Sequence, residues 1–467
     1  MLHWLRALAG QVKAYPEIIL TPDSRSPPVR DLVDGWADFC LENDQIMKDL
    51  EFSREVDNVY HTILSVFPNR DQLIAQLTSV LLLSSHTRPH HLHANDMLIG
   101  YASGGVLSTL KLMQSCRLAK SRDQDAMCPF LEPSLIAFLT DANRAGEFFV
   151  EKDTQHDSMA LRWIATLTQQ VKENPKIVLS PISRTGCLDA LTYGWAGFCL
   201  RDGKLRTDWE YSHGLSNLYH SILSVFPDRG PLIASLASVI LLPAHTCRPN
   251  LHFHDILLGL PRGYVLSVAR LLHSCRLVFQ KPRQNGRWGV GWVPGVPFEL
   301  DPSFVDFLRD PARSGEFCIG DAQHRSLALR WIRVLAEKLK ETPRLNPDPW
   351  SGPYRDLVMG WHAFCLQDDR FDSDSEFTLE LDNLYLSILS AFPDRNKLAA
   401  VLAAAITLGG LEATMPEDRD SEIRLLWLYR LAEPLRDFSY ILTPSFVNFL
   451  LDSTRSREYH INTGSTA

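Results

Sequence analysis

Histidine and aspartate residues recur at matching positions in two stretches of the chain, and their side chains could bind a metal ion. The two sets are His86, His93 and Asp96, and then His245, His252 and Asp255. Imidazole and carboxylate groups are common ligands of zinc and other transition metals when they converge on one point. If the segment is helical, the spacing of His93 and Asp96 places both side chains on one face. The pattern therefore admits a metal-binding protein or a metal-dependent enzyme.

A structural role explains the same residues and is favoured. The two stretches contain proline and many polar residues, and they are predicted to connect one helix to the next. Asp96 and Asp255 can then cap helix starts, because a carboxylate accepts hydrogen bonds from the free N–H groups of a first helical turn. Short histidine motifs also have low specificity. We therefore predict no bound cofactor and keep the six residues as candidate metal ligands.

A glycine-rich segment with two tryptophans is the second candidate site. Residues 287–295 read RWGVGWVPG, and its most distinctive side chains are Arg287, Trp288 and Trp292. Tryptophan is enriched at the centres of protein interfaces, which indicates contact with a protein partner. The alternative is that both tryptophans pack back onto the helices. The glycines do not predict a nucleotide-binding loop, because no strand is expected ahead of them.

A charged triplet at three-residue spacing is the third candidate. It occurs as Asp141, Arg144 and Glu147, as Asp310, Arg313 and Glu316, and as Asp452, Arg455 and Glu458. This spacing puts the charges on adjacent helical turns. Acid–base catalysis would need a carboxylate beside the reacting bond in a pocket, and one chain seldom needs three such sites. We therefore predict structural salt bridges at the junctions between copies, and no catalytic residue.

These recurrences belong to an internal repeat that fills the chain. Its clearest mark, Phe-Pro-Asn/Asp-Arg, occurs at residues 67–70, 226–229 and 392–395. The first two copies align without a gap from Trp4 with Trp163 to Cys116 with Cys275. Other repeated positions are Trp36, Trp195 and Trp361, then Pro68, Pro227 and Pro393, and finally Asn69, Asp228 and Asp394. We predict three domains, at residues 1–158, 159–326 and 327–467, the third of them shortened.

Each copy is predicted to contain five to six helices. In the first copy, apolar residues at helical spacing predict helices near residues 4–12, 29–41, 53–66, 72–83 and 106–118, and a short one from Pro133. In the repeated mark, proline ends one helix because the residue before it is pushed out of the α region. Asn69, Asp228 or Asp394 then caps the next helix. No alternating strand pattern appears, so the predicted fold is all-α.

We predict that the copies stack as an α-solenoid-like superhelix. Short segments near residues 151–158 and 320–326 join them, and such joints favour stacking on the neighbour. The architecture resembles the α-solenoid class, the armadillo and HEAT type, only in general outline, because those families repeat at about 40 residues.

Two further repeated positions lie within the predicted helices. A glycine precedes each repeated tryptophan, at Gly35, Gly194 and Gly360. Since glycine weakens a helix, its presence predicts two helices that cross closely. An asparagine recurs at Asn58, Asn217 and Asn383. If it is buried, it must be hydrogen-bonded and can fix the register of neighbouring helices; the alternative is a groove that binds extended peptide.

Composition argues against several classes of function. The chain of 467 residues has 47 Lys and Arg against 55 Asp and Glu, a net charge of −8, which argues against general nucleic-acid binding. It has no apolar run of about 18 residues, so no membrane-spanning helix is expected. The nine cysteines include no Cys-x-x-Cys pair and are expected in the core, which favours a reducing intracellular location, the cytoplasm above all.

Together these patterns predict a non-catalytic protein–protein interaction scaffold with an unknown partner. Two alternatives stay open. One is a metal-binding protein or metal-dependent enzyme that uses the histidine-rich connections. The other is a helical-repeat fragment of a larger protein, because the first helix starts without a capping residue.

Overall fold

The fold is built almost entirely from helices that pair through apolar faces. The computed structural model describes residues 2–24, 26–40, 49–83, 92–121, 129–180, 182, 184, 186–200, 208–242, 251–280, 298–341, 357, 360–361, 364–365, 374–390, 392, 395–408, 432–434 and 440–461. These residues divide into two compact units.

The first unit comprises Met1–Val225 together with Ser274–Leu277. Its helices are α1 (Leu2–Ala14), α2 (Glu17–Leu20), α3 (Pro27–Cys40), α4 (Leu50–Leu64), α5 (Arg70–Leu83), α6 (Leu92–Ile99), α7 (Gly105–Ser115), α8 (Pro133–Leu139), α9 (Ala142–Ala145), α10 (Lys152–Glu173), α11 (Lys176–Leu179), α12 (Gly186–Cys199) and α13 (Trp209–Leu223). Its strands β1 (Ala119–Ser121) and β2 (Pro129–Leu131) pair antiparallel, with Lys120 opposite Phe130. Helix α1 packs along α4, and α10 packs along α13.

The second unit comprises Phe226–His273 and Val278–Ala467. Its helices are α14 (Arg229–Leu241), α15 (Leu251–Leu258), α16 (Tyr264–Ser274), α17 (Pro302–Arg309), α18 (Pro311–Ser314), α19 (Asp321–Glu341), α20 (Ser375–Ser390), α21 (Arg395–Leu408), α22 (Pro444–Leu451) and α23 (Ser453–Ser456). Two antiparallel hairpins complete it, formed by β3 (Val278–Gln280) with β4 (Phe298–Leu300) and by β5 (Ala432–Pro434) with β6 (Tyr440–Leu442). Helix α19 packs along α20.

The prediction of a mostly helical, all-α chain is confirmed, with three departures in detail. Short helices α6 and α15 lie where connecting segments were expected. The segments predicted to join the copies belong to the first turns of α10 and α19. The three hairpins were not predicted, because their strands are only three residues long and alternation cannot show over that length. Among the described residues, no helix is long and apolar enough to cross a membrane.

The repeated tryptophans anchor the core. Three of them are completely buried: Trp36, Trp195 and Trp361. The Trp36 indole Nε1 donates to the Cys116 carbonyl oxygen at 3.2 Å, and Trp195 Nε1 donates to that of Cys275 at 3.1 Å. Each bond joins the helix that carries the tryptophan to the cysteine that follows a later helix of the same copy. The buried indole N–H groups of Trp36 and Trp195 therefore have backbone acceptors, as a dry core favours.

Gly35 allows α1 and α3 to approach closely, so the predicted crossing is confirmed at this position. A Cβ atom at Gly35 would lie 2.8 Å from Cζ2 of Trp4, which is too close for a real side chain. The same indole donates from Nε1 to the Leu32 carbonyl oxygen at 3.0 Å. Glycine therefore makes room for a tryptophan that fastens one helix to the other.

The repeated asparagines do not lie in the core. Asn58, Asn217 and Asn383 are all exposed. The expectation of a buried asparagine that fixes helix register is therefore wrong. In the first copy, Val56, Val59 and Tyr60 occupy the inward face, and the helical period turns Asn58 outward.

The repeated Phe-Pro-Asn/Asp-Arg mark separates two helices, as predicted, but its capping differs between copies. Asn69 Oδ1 accepts a hydrogen bond from the Gln72 backbone N–H at 3.0 Å, which caps α5. Asp228 occupies the N-cap position of α14, yet its side chain makes no capping bond. The third residue of α14 is Pro231, which has no N–H to donate. The predicted side-chain cap at Asp228 is therefore wrong, and Pro393 and Asp394 lie outside the described residues.

This difference predicts unequal effects of two equivalent substitutions. Asn69→Ala removes a capping bond and should lower the free energy of unfolding by about 1 kcal/mol. Asp228→Ala removes no such bond and should change it by less than about 0.5 kcal/mol. Urea denaturation followed by circular dichroism compares the two variants. Equal losses would show that the side-chain bond is not what distinguishes the two helix starts.

Candidate functional site

The two candidate aspartates are buried and fasten consecutive helices together. Asp96 accepts hydrogen bonds from the backbone N–H groups of Gly104 at 2.7 Å and Val106 at 2.8 Å, at the start of α7. In the second copy, Asp255 accepts from Gly263 at 2.6 Å and Val265 at 3.0 Å, at the start of α16.

Both carboxylates therefore cap the next helix from a distance, as the capping interpretation predicted. Gly104 and Gly263 adopt φ angles of +94° and +85°, a conformation that favours glycine. Each glycine lets the chain turn so that its own N–H points at the buried carboxylate.

The predicted histidine partners lie beside these aspartates. His93 Nδ1 is 3.8 Å from Asp96 Oδ2, and His252 Nδ1 is 3.9 Å from Asp255 Oδ2. The predicted pairs thus share one helix face in both copies. His86 and His245 lie outside the described residues. Among the residues that are described, no group of three His, Cys, Asp or Glu side chains is placed to hold a metal ion.

The tryptophan-rich segment at residues 287–295, with Arg287, Trp288 and Trp292, also lies outside the described residues. Its attachment is described on both sides. Gln280 at the end of β3 pairs with Phe298 at the start of β4. Gln280 and Phe298, the described residues on either side of the segment, therefore lie next to each other.

The charged triplets contribute to structure through partners that their spacing did not indicate. Arg144 forms a two-bond fork with Asp57, with Nε 3.0 Å from Oδ2 and Nη2 2.7 Å from Oδ1. Asp141 caps α9 by accepting from the Asn143 N–H at 2.9 Å. In the third copy, Arg455 forms the same fork with Asp382 at 2.9 and 2.7 Å. The predicted structural salt bridges are therefore present at Arg144 and Arg455, and each partner lies in the same copy.

The last residue of each triplet pairs with the arginine of the repeated mark. Arg70 Nη1 lies 2.5 Å from Glu147 Oε2, and Arg395 Nη1 lies 2.6 Å from Glu458 Oε2. Arg229 and Glu316 form the same ion pair. In each pair both side chains are about half exposed, so each bond stabilises the fold by at most about 1 kcal/mol. The mark and the triplet, which are far apart in sequence, are thus two halves of one contact.

Buried cysteines are weak nucleophiles in this fold. Cys199, Cys275 and Cys365 are buried, and burial raises the pKa of each thiol. A thiol held protonated at neutral pH is a poor nucleophile and a poor metal ligand. Their position supports the prediction that repeated cysteines belong to the core.

An arginine bridges two glutamates across the seam where α1 meets α4 in the first copy. Another does so where α19 meets α20 in the third copy. Arg6 on α1 donates to Glu55 at 2.8 Å and to Glu51 at 3.2 Å, both on α4. On α19, Arg333 donates to Glu380 at 2.8 Å and to Glu376 at 2.9 Å, both on α20. In both seams one guanidinium group bridges two carboxylates that stand one helical turn apart.

The second copy carries a different surface at this seam. The gap-free alignment places Ala165 at the position of Arg6 and Gly214 at that of Glu55, while Glu210 keeps the acidic residue of Glu51. Trp209, the first residue of α13, is 78% exposed, and its ring stacks on the His213 ring at 5.3 Å with an interplanar angle of 2°. We name Ala165, Trp209, Glu210, His213 and Gly214 the α10–α13 surface.

Local structure fixes the position of Trp209 on this surface. Asp208 Oδ1 accepts a hydrogen bond from the Tyr211 N–H at 3.0 Å, which caps α13 and sets Trp209 as its first residue. None of the candidate sites predicted from the sequence includes these residues. The available signal was the loss of an arginine at a position where the other two copies have one.

Comparisons of the chain with protein-family models, with curated proteins and with solved structures found no match.

Proposed function

We propose that the chain is a non-catalytic interaction protein that presents a helical surface to a protein partner. The observation that carries this proposal is that the repeated polar residues make their hydrogen bonds and ion pairs within the fold. Asp96, Arg144 and Glu147 are engaged in helix capping or ion pairs within the fold. Catalysis would need such groups to converge on a pocket. Because these shared residues stabilise the fold, we assign binding of the partner to features that occur in only one copy.

We further propose that the chain consists of three tandem helical repeats of the α-solenoid type, acting in the cytoplasm. The proposal is supported by the same ion pair in each copy, formed by Arg70 with Glu147, Arg229 with Glu316 and Arg395 with Glu458. Free cysteines such as Cys116 and Cys199 support a reducing location.

The segment at residues 287–295 is the first proposed contact with the partner. The pairing of β3 with β4 supports this role because it holds the described residues on either side of the segment next to each other. A deletion within residues 287–295 changes no residue of either strand. Trp288 and Trp292 supply apolar area of the kind that dominates protein interfaces.

Deletion of residues 287–295 should weaken partner capture while folding stays intact. The experiment is affinity purification of the tagged chain from its native cells, with co-purifying proteins quantified for the intact and deleted forms. We expect a loss of at least about thirtyfold, because a hot-spot tryptophan contributes about 2 kcal/mol or more and about 1.4 kcal/mol corresponds to a factor of ten.

A Trp288→Ala, Trp292→Ala variant keeps the length of the segment and serves as the matched control. It should lose capture to a similar extent, with an unchanged urea midpoint. Unchanged capture by both variants would remove the segment from the proposed function.

A further inference from the structure

Among the described residues, no guanidinium group bridges the seam between α10 and α13 as Arg6 and Arg333 bridge the equivalent seams. Arg6 and Arg333 each bridge a glutamate at the start of the opposing helix and another one turn later. In the second copy, the first glutamate remains as Glu210, but Ala165 supplies no charge. Gly214 replaces the second glutamate and has no side chain.

The side chains that remain suit a guanidinium group from another molecule. Glu210 is exposed, as is the neighbouring Ala165. Trp209 is 78% exposed although its ring stacks on His213, so most of the indole is accessible to another molecule. A guanidinium group forms paired hydrogen bonds with a carboxylate and stacks on an indole face.

We propose that the α10–α13 surface binds an arginine side chain of a partner protein. The guanidinium group takes the place that Arg6 and Arg333 take in their own copies, with Glu210 as its acceptor and Trp209 as its stacking face. The inference rests on the proposed interaction function and names the chemistry of one contact. The net charge of −8 favours a partner with a basic binding segment.

Contact between His213 and Trp209 prepares the surface for binding. The two rings are nearly parallel at 5.3 Å, which restricts the rotamers of the indole before a ligand arrives. A side chain that is already ordered loses less entropy on binding. Copy one has Leu50 and Arg54 at these positions and cannot form such a stack.

The test is a titration of the full chain with a fluorescent Gly-Ser peptide that carries two arginines. Matched peptides replace both arginines by lysine or by citrulline, which keeps the shape of arginine but has no charge. We expect the lysine peptide to bind about tenfold more weakly, since lysine lacks the paired donors. The citrulline peptide should show no saturable binding.

Three variants assign the peptide to this surface. Ala165→Arg supplies the missing group within the chain and should abolish peptide binding while the urea midpoint is kept or raised. Glu210→Gln and Trp209→Leu should each weaken binding about tenfold, because each removes one of the two contacts. Glu51→Gln, the equivalent change in the first copy, should leave binding unchanged.

The inference is overturned if Ala165→Arg binds the arginine peptide as tightly as the unaltered chain, or if the citrulline peptide binds equally well. It is also overturned if no arginine peptide binds. The interaction function is tested separately by partner capture. If the chain captures a partner but binds no arginine peptide, this surface is rejected and the interaction function is kept. If the chain binds the arginine peptide but captures no partner, the interaction function is rejected and the arginine-binding surface is kept.

Discussion

Replacing Asp255 by alanine should destabilise the second unit by about 3 kcal/mol. The buried carboxylate accepts two backbone hydrogen bonds, from Gly263 and Val265, at the start of α16. Hydrogen bonds to a charged group contribute about 1.5–3 kcal/mol each, and a carboxylate at a helix N-terminus gains further from the helix dipole. Alanine leaves the buried amide of Val265 and the partly buried amide of Gly263 without this acceptor.

Urea denaturation measures the loss, and amide hydrogen exchange locates it. Exchange should accelerate at Gly263 and Val265 before it does elsewhere in α16. Asp306→Ala on α17 is the matched control, because Asp306 is an exposed aspartate of the same unit. Its effect should stay within about 0.5 kcal/mol. A loss at Asp255 no larger than that of the control would contradict the capping role.

Lowering the pH from 6.5 to 4 should destabilise the chain through His254 by about 3 kcal/mol. His254 is 4% exposed, and burial lowers its pKa to about 4. The unfolded chain regains a histidine pKa of about 6.5. Between these values the unfolded state binds more protons than the folded state, so the free energy of unfolding falls as the pH falls. Well above pH 6.5 both states are neutral at this residue and the contribution is complete.

The first copy provides the matched variant for this prediction. Asn95 aligns with His254, and it too is buried. His254→Asn keeps a polar side chain beside Ser238, whose Oγ lies 2.9 Å from His254 Nδ1, and removes the titrating group. Unfolding free energies at several pH values between 7 and 4 should diverge between the two proteins as the pH falls. Parallel curves would contradict the assignment to His254.

Helix positions followed from local chemistry and were predicted well. Pro68 and Pro227 stop a helix because proline restricts the residue before it, and that effect depends on no distant contact. The apolar period placed Val56, Val59 and Tyr60 on the buried face of α4. The prediction of helix caps was less successful. The proline two residues after Arg229 has no N–H group to donate, so Asp228 does not form the expected hydrogen bond.

The candidate site depended on contacts that no local pattern encodes. The recurrence of Asp141, Arg144 and Glu147 predicted structural salt bridges but did not indicate their partners, which are Asp57 for Arg144 and Arg70 for Glu147. Which opposite charge an arginine meets is decided by how the helices pack. Sequence spacing reports only neighbours on the same helix.

By itself the sequence determined the all-α class, the repeated mark, the turn at the Phe-Pro steps of the first two copies and the core position of the tryptophans. Each of these follows from backbone restriction or from apolar periodicity, which act within a few residues. Only the tertiary structure decided that the arginine of the mark meets the glutamate of the triplet. Only the structure decided that the position equivalent to Arg6 lies on a seam where Trp209 and Glu210 face solvent. Helices that are distant in the chain form these ion pairs, and their packing decides which partner each charge meets. The same packing decides which faces of the helices stay exposed.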